Sequence, residues 1–361
     1  MRIALVHPKF DGSGGAERYA LDLASGLAER GHEVHLFGRK AARLPSHLRF
    51  HRVMSLALGR AVKTWSFDVS AAARVRGSDF AVIQGFGKTR CQTVHRAGGG
   101  VHRAYLERRG GSRSLYDRVV IRIEDELFSS SRLRAIIAPS GWVRREIERF
   151  YPGVASRILV IPNGVDTARF YPQGRELDRA RLAERISLPG GSAVLLFVAT
   201  NFALKGLDVA IAALVRLPSA CLVVAGGDDP APFRKAASAA GVGERVRFLG
   251  RVEAVSELYR ASDLLLHPTR YDPFANVCLE AMACGTPVVT TDRNGAADLL
   301  ARGGGEVVPA EAGADSVASA VGRLLSQGEA AGKRAREVAE GCDRKRHVEA
   351  VEAVYRLAAN P

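Results

Sequence analysis

Two carboxylates eight positions apart, Asp272 and Glu280, bracket the segment YDPFANVCLEAMACGTPVVTT. Carboxylates accept hydrogen bonds from sugar hydroxyls, and unpaired backbone N–H groups at a helix start hold anionic oxygens. A helix over 274–284 would put the N–H groups of Phe274, Ala275 and Asn276 at its start, where a diphosphate fits. At about 1.5 Å per residue the carboxylates would stand about 12 Å apart along its axis, the reach from a hexose to a ribose across a diphosphate. The plain alternative is an acid complementing the helix dipole and a solvated mid-helix glutamate. Glu280 argues against it, because it sits inside the apolar run VCLEAMACG, a costly place for an unpaired charge. The pattern therefore suggests a nucleotide-sugar site.

Other residue types fit the same chemistry. Lys205 follows the apolar run AVLLFVAT, and a lysine at the carboxyl end of a strand neutralises phosphate. Gly12, Ser13, Gly14 and Gly15 form a loop between a strand-like and a helix-like segment, where a glycine backbone can approach phosphate or sugar closely. It matches neither the dinucleotide fingerprint, since position 17 is Glu, nor a P-loop. The stretch HRAGGGVHRAYLERR places His95 and His102 on either side of three glycines among basic residues, an acceptor-side site with an imidazole near the reacting centre. Asp228 and Asp229 do not form the Asp-x-Asp of a metal-dependent nucleotide-sugar enzyme, so no catalytic metal is expected. No Ser/His/Asp order supports a hydrolase.

These residues need a scaffold of strands ending in loops. Arg2–Val6 reads as a buried strand, Ala16–Arg30 is apolar at helical spacing up to Gly31, and Glu33–Gly38 is the next strand, a βαβ unit that implies a parallel sheet. Further strands are read at 80–84, 134–138 and 158–161, with Ser140 as the N-cap of a helix. A second series is read at 193–200, 220–225, 246–249, 264–267, 288–291 and 306–308, with helices over 206–217 and 255–261. The polar segment 167–191 is read as the linker. The expectation is α/β: two doubly wound Rossmann-like domains facing a cleft, over 1–168 and 169–345. A final helix, about 346–361, packs back on the first domain.

Composition bounds the possibilities. A chain of 361 residues suits two domains, and 47% apolar with 25% charged residues is ordinary for a globular protein. The start MRIALVHPKF is no signal peptide, and no run approaches the roughly 18 apolar residues of a membrane span. Five cysteines without a Cys-x-x-Cys pair suit a reduced, cytoplasmic setting rather than a disulfide framework or zinc site. The net charge of +14 is lopsided: 28 Lys and Arg face 15 Asp and Glu up to Asp166, against 24 and 23 thereafter. A basic first half attracts phosphate-rich partners, including anionic membrane, and suggests peripheral attachment to the inner face of a bacterial inner membrane. With 7% aromatics and no RNP motif, no nucleic-acid partner is expected.

Taken together, these residues resemble the GT-B-fold family 4 of retaining glycosyltransferases over nearly the whole chain. The resemblance rests on GSGGAER, on IPNGVDTARF (Ile161–Phe170), on Lys205, on the GRV of Gly250–Val252, and most specifically on ASDLLLHPTRYDPFANVCLEAMACGTPVVTT (Ala261–Thr291). Within the family the first half and the spacing look most like the bacterial lipopolysaccharide-core glucosyltransferase I group. The resemblance implies a metal-independent enzyme without a cofactor. It would move glucose from UDP-glucose, its co-substrate, to a hydroxyl of a glycolipid, the inner core of lipopolysaccharide. It also implies roles: Gly14 and Gly15 near donor phosphate or sugar, Lys205 on the diphosphate, Asp272 on sugar hydroxyls, and Glu280 on the ribose. Phe274, Ala275 and Asn276 would offer N–H groups, and Arg251 and Val252 would lie against the base. Three departures stand out: Asp272 where the family has Glu, Thr200 and Asn201 near the usual upstream arginine, and Gly98–Gly100 where the group tends to carry Asp. The rival readings are an epimerase or a glycan phosphorylase on the same fold, or a basic nucleic-acid binder.

Overall fold

The computed structural model describes residues 1–12, 14–42 and 44–359. Ser13 of the glycine loop and positions 360 and 361 of the expected final helix lie outside the described residues. The chain divides into two compact units, Met1–Asn163 with the segment from Arg344 onward, and Gly164–Asp343.

Unit 1 is built on a seven-stranded parallel sheet. In space the strands run Leu48–Arg52, Glu33–Gly38, Arg2–Val6, Val82–Gly85, Val94–Arg96, Ala135–Ala138 and Ile158–Val160. The order reverses beside the first strand, and ligands of open α/β sheets bind at the carboxyl ends of strands flanking such a switch. The runs are apolar because helices cover both sheet faces: Ile3, Ala4 and Leu5 are fully buried. One covering element is the final helix, Arg344–Ala359. Its Val348, Val351 and Tyr355 are buried, Tyr355 donates to Gln84 Oε1 at 2.8 Å, and His347 Nε2 lies 2.8 Å from the Tyr19 hydroxyl.

Unit 2 has six parallel strands in the order Val246–Gly250, Ala220–Ala225, Ala193–Val198, Leu264–His267, Val288–Thr291 and Gly305–Val308. Its switch lies between Ala193–Val198 and Leu264–His267. The helix Asn276–Ala283 buries Cys278, Leu279, Met282 and Ala283 against the sheet.

Several expectations need correction. The segment 167–191 is no linker: Arg175–Ile186 is a helix whose Leu182 and Ile186 enter the core of unit 2. Its buried Asp178 accepts from Arg260 Nε at 2.5 Å, and Arg175 and Arg179 pair with Asp263. These partners are distant in sequence, so composition alone makes the helix look like polar coil. The unit boundaries fall at 163/164 and 343/344 rather than at 168/169 and 345/346, because Val165 bridges Asp343 and Thr167 donates to Asp343 Oδ2 at 2.7 Å. Two strands of the seven-stranded sheet lack a local signature. Leu48–Arg52 is a charged edge strand, and Val94–Arg96 is too short to show a period. Among the described residues, no helix is long and apolar enough to cross a membrane.

Candidate functional site

Unit 2 brings Lys205 and Asp272 together across its switch point. Lys205 follows the strand Ala193–Val198, and Asp272 follows Leu264–His267. The Lys205 ammonium donates to Asp272 Oδ2 at 2.8 Å and to the Tyr271 carbonyl at 2.9 Å. Its position is set by the next residue. Gly206 has φ +80°, and a Cβ there would fall 2.1 Å from the Pro268 carbonyl oxygen. Only glycine lets the lysine loop press against the end of the neighbouring strand.

Asp272 is more constrained than its sequence position suggests. Its Oδ1 accepts the Phe274 N–H at 3.1 Å, its own N–H donates to the Arg293 carbonyl, and its carbonyl accepts from Gly295. Burial alone would raise its carboxyl, but the Lys205 ammonium, helped by His267, outweighs that and brings it down to about 2. The residue is therefore ionised near neutral pH.

The expected helix start is corrected. The helix begins at Asn276, not Phe274, so Asp272 sits in the preceding loop and the axial spacing from Glu280 does not apply. Two of the three N–H groups anticipated as unpaired have internal acceptors: Phe274 gives to Asp272, and Ala275 gives to Asn294 Oδ1 at 3.2 Å. Asn276 is the first residue of the helix. Glu280, half-buried one turn from the helix end, accepts the Tyr259 hydroxyl at 2.9 Å. Arg251 is exposed just past the strand Val246–Gly250, with its side chain over Gly227, and Val252 packs partly against the core. Asp228 is structural, accepting the Phe202 N–H at 2.7 Å.

Two residues of this site carry no role in the sequence reading. His267 ends its strand buried, with Nε2 3.6 Å from Asp272 Oδ2, and burial lowers its pKa. Asn294 is buried, takes the Ala275 and Ala296 N–H groups on Oδ1, and donates to Thr290 Oγ1 and Cys278 Sγ. A histidine closing an apolar strand at the carboxyl edge was the available signal for the first. Nothing local marks the second.

In unit 1, Gly14 is the N-cap of the helix Gly15–Glu29 and Gly15 its first residue, at the carboxyl end of the first strand. His95 lies in the strand Val94–Arg96, buried, with Nδ1 3.3 Å from Gln92 Nε2 and its ring edge-on to Phe128. Burial, reinforced by Arg96, pushes its imidazole down to about 4, so it is neutral near pH 7. His102 opens the helix His102–Arg109 and holds Asp117 Oδ1 at 3.0 Å through Nε2. Both histidines line one cavity of about 360 Å³.

Glu124 lines that cavity too and was not anticipated. It accepts the His102 N–H at 2.8 Å and the Tyr151 hydroxyl at 3.2 Å, yet burial pushes its carboxyl up to about 7. In the unfolded chain it ionises near 4.5. Between those values the unfolded state binds fewer protons, so Glu124 costs stability increasingly as pH rises through this window. Glu124→Gln should therefore gain melting temperature relative to the parent from pH 4.5 to 7 and hold a constant difference above it. Thermal scans across pH check this, and a pH-independent difference would contradict a buried carboxyl.

Comparison with known proteins follows the two units. The second matches the model of glycosyl transferases group 1 over residues 178–340, and the first matches that of glycosyltransferase family 4 over 13–169. A probable transglycosylase of Burkholderia thailandensis is 32% identical over 293 residues, covering 80% of this chain and 77% of that one. The D-inositol 3-phosphate glycosyltransferase of Acidothermus cellulolyticus is 34% identical over 51% of this chain and 44% of its own, so the chain spans less than half of that relative. The lipopolysaccharide glucosyltransferase WaaG of Escherichia coli is 34% identical over 43% of each chain. Among solved structures, WaaG superposes with a TM-score of 0.84 at 24% identity, covering 97% of this chain and 98% of that one. HepE of Anabaena in complex with UDP-glucose gives 0.77 at 18%, covering 98% of both.

Proposed function

The chain belongs to the family 4 glycosyltransferases of the GT-B fold, close to WaaG, and from that premise we propose that it moves glucose from UDP-glucose to a hydroxyl of a glycolipid, with retention at the anomeric carbon. One observation carries the reading. A lysine and an aspartate meet at 2.8 Å at the carboxyl edge of unit 2, at its switch point. The ammonium suits the departing diphosphate, and preorganised charge of this kind is worth several kcal/mol in the transition state. The Asp272 carboxylate suits the hydroxyls of the transferred hexose, and Glu280 suits the ribose. In the retaining step the glycosidic C–O bond breaks, its electrons go to the diphosphate, and the acceptor oxygen bonds to the same face of carbon. The acceptor proton passes to a leaving phosphate oxygen. UDP as the nucleotide is supported by the likeness to a structure solved with UDP-glucose. No step in this scheme requires a metal or cofactor.

A thermal-shift screen of UDP-, GDP- and ADP-glucose tests the donor. A ligand held by the native state stabilises it by RT ln(1 + [L]/Kd), about 2.7 kcal/mol at a hundredfold excess over Kd. UDP-glucose is expected to raise the melting temperature most. No shift with any nucleotide sugar sinks the proposal.

The glycolipid acceptor is assigned to unit 1, whose sequence carries the charge excess. That excess should also hold the protein on anionic membrane in a salt-sensitive way. Co-sedimentation with vesicles containing about a third anionic lipid should fall sharply between 50 and 300 mM salt, roughly as screening dictates. Equal binding to neutral vesicles removes the electrostatic argument.

A further inference from the structure

Unit 1 holds a buried arginine that the donor chemistry leaves unexplained. Arg96 is 5% exposed and lines the 360 Å³ cavity with His95 and His102. Its guanidinium carbon stands 3.6 Å from the centre of the Tyr19 ring, and Nη2 donates to Asn163 Oδ1 at 2.5 Å. Among the described residues, no ion pair includes it. The arginines that follow it in the chain are different: Arg103 pairs with Asp125, Arg108 with Glu146, and Arg109 with Asp117. A buried cation without a counter-charge is costly unless a ligand supplies one.

The glycine run beside it has a matching explanation. A Cβ on Gly98 would lie 1.7 Å from Arg96 Nη1, so a side chain at 98 would displace the guanidinium. Two further cations face the same cavity from exposed positions. Arg60 stacks on the Tyr116 ring at 4.3 Å, and Lys88 donates to the Tyr116 hydroxyl. Neither has a carboxylate partner among the described residues. The acids of the cavity do not cancel them. Asp117 is already taken by Ser114, His102 and Arg109. Glu124 is engaged by the His102 N–H and the Tyr151 hydroxyl, and burial disfavours its charged form.

We propose that this cavity reads a phosphate or carboxylate group on the sugar acceptor, with Arg96 as its buried contact and Arg60 and Lys88 as the entrance charges. The inference rests on unit 1 being the acceptor side. A volume near 360 Å³ suits one monosaccharide with its anionic substituent.

Calorimetric titration of the full chain with glucose 6-phosphate, glucose and UDP tests it. Glucose 6-phosphate is expected to bind with UDP already saturating, and at least about tenfold more tightly than glucose, the usual weight of a charge-assisted hydrogen bond. Arg96→Gln should remove that preference while leaving UDP affinity within about twofold of the parent, and should keep the parent's circular dichroism. Lys88→Gln, on the surface where folding is not at risk, should weaken glucose 6-phosphate by about two- to fivefold. The proposal is overturned if glucose binds as well as glucose 6-phosphate or if saturating UDP displaces the sugar phosphate. It is equally overturned if the two substitutions weaken UDP instead, which would make the anion the donor's diphosphate. Failure of UDP to bind the parent would strike the donor site, and the sugar-phosphate arm would still judge this cavity.

Discussion

Lys205→Ala is expected to lower kcat for glucosyl transfer by about 10²–10³-fold at saturating donor, the cost of removing one preorganised charge from the developing anion. The geometry adds a second signature. Lys205 is the nearest cation to Asp272, at 2.8 Å, and it opposes the rise that burial imposes on that carboxyl. Without it the Asp272 pKa climbs from about 2 toward the range where it titrates in an assay. The variant should therefore show an acid limb in kcat/KM that the parent lacks, falling as pH drops. Lys205→Arg keeps the charge and should recover part of kcat, though the guanidinium is broader than the ammonium. The measurement is initial-rate transfer from UDP-glucose between pH 4.5 and 8.5. Undiminished turnover in Lys205→Ala would falsify the donor-site assignment.

Tyr355→Ala is expected to destabilise unit 1 by about 3–5 kcal/mol, the usual range for emptying a fully buried aromatic site. Tyr355 is 0% exposed in the final helix, and its hydroxyl donates to Gln84 Oε1. The Gln84 Nε2 has no partner among the described residues, so the substitution leaves that buried amide with less still. Tyr355→Phe keeps the ring and should cost only about 1 kcal/mol. Urea unfolding followed separately in each unit distinguishes the cases. Unit 1 should lose stability while unit 2 keeps its midpoint. A loss shared equally by both units, or a cost below about 1 kcal/mol for the alanine variant, contradicts the packing described for this helix.

The legible parts of the chain were those with local physical signatures. Buried parallel strands are covered on both faces, so ACLVVA and LLLH read as unbroken apolar runs and their ends are marked by Gly, Asp or Pro. Ser140 as an N-cap is likewise local: its hydroxyl accepts the Val143 N–H at 3.2 Å. The illegible parts depended on partners far away in sequence. The helix Arg175–Ile186 looks like polar coil until Asp263 and Arg260 arrive to pair with it. The strand Val94–Arg96 is three residues long and takes its identity from its neighbours at Gln84 and Ala135. The Ala275 N–H looked available because its acceptor, Asn294, is brought in by folding, whereas the Phe274 N–H turns back on Asp272 two residues away, a local turn that the helical reading passed over.

By itself the sequence determined that two parallel α/β sheets form, and which loops, carrying Gly14, Lys205 and Asp272, emerge at strand ends. Apolar runs and the glycines between them are enough for that, because strand burial and chain reversal are short-range effects. Only the tertiary structure decided which charges meet. Lys205 and Asp272 are paired, His102 is spent on Asp117, and Arg96 is left without a carboxylate among the described residues. The physical reason is strand order. The switch in the sheet of unit 2 sets side by side the loops of Lys205 and Asp272, which the chain separates by tens of residues, and an ion pair senses a few ångströms of space rather than distance along the chain.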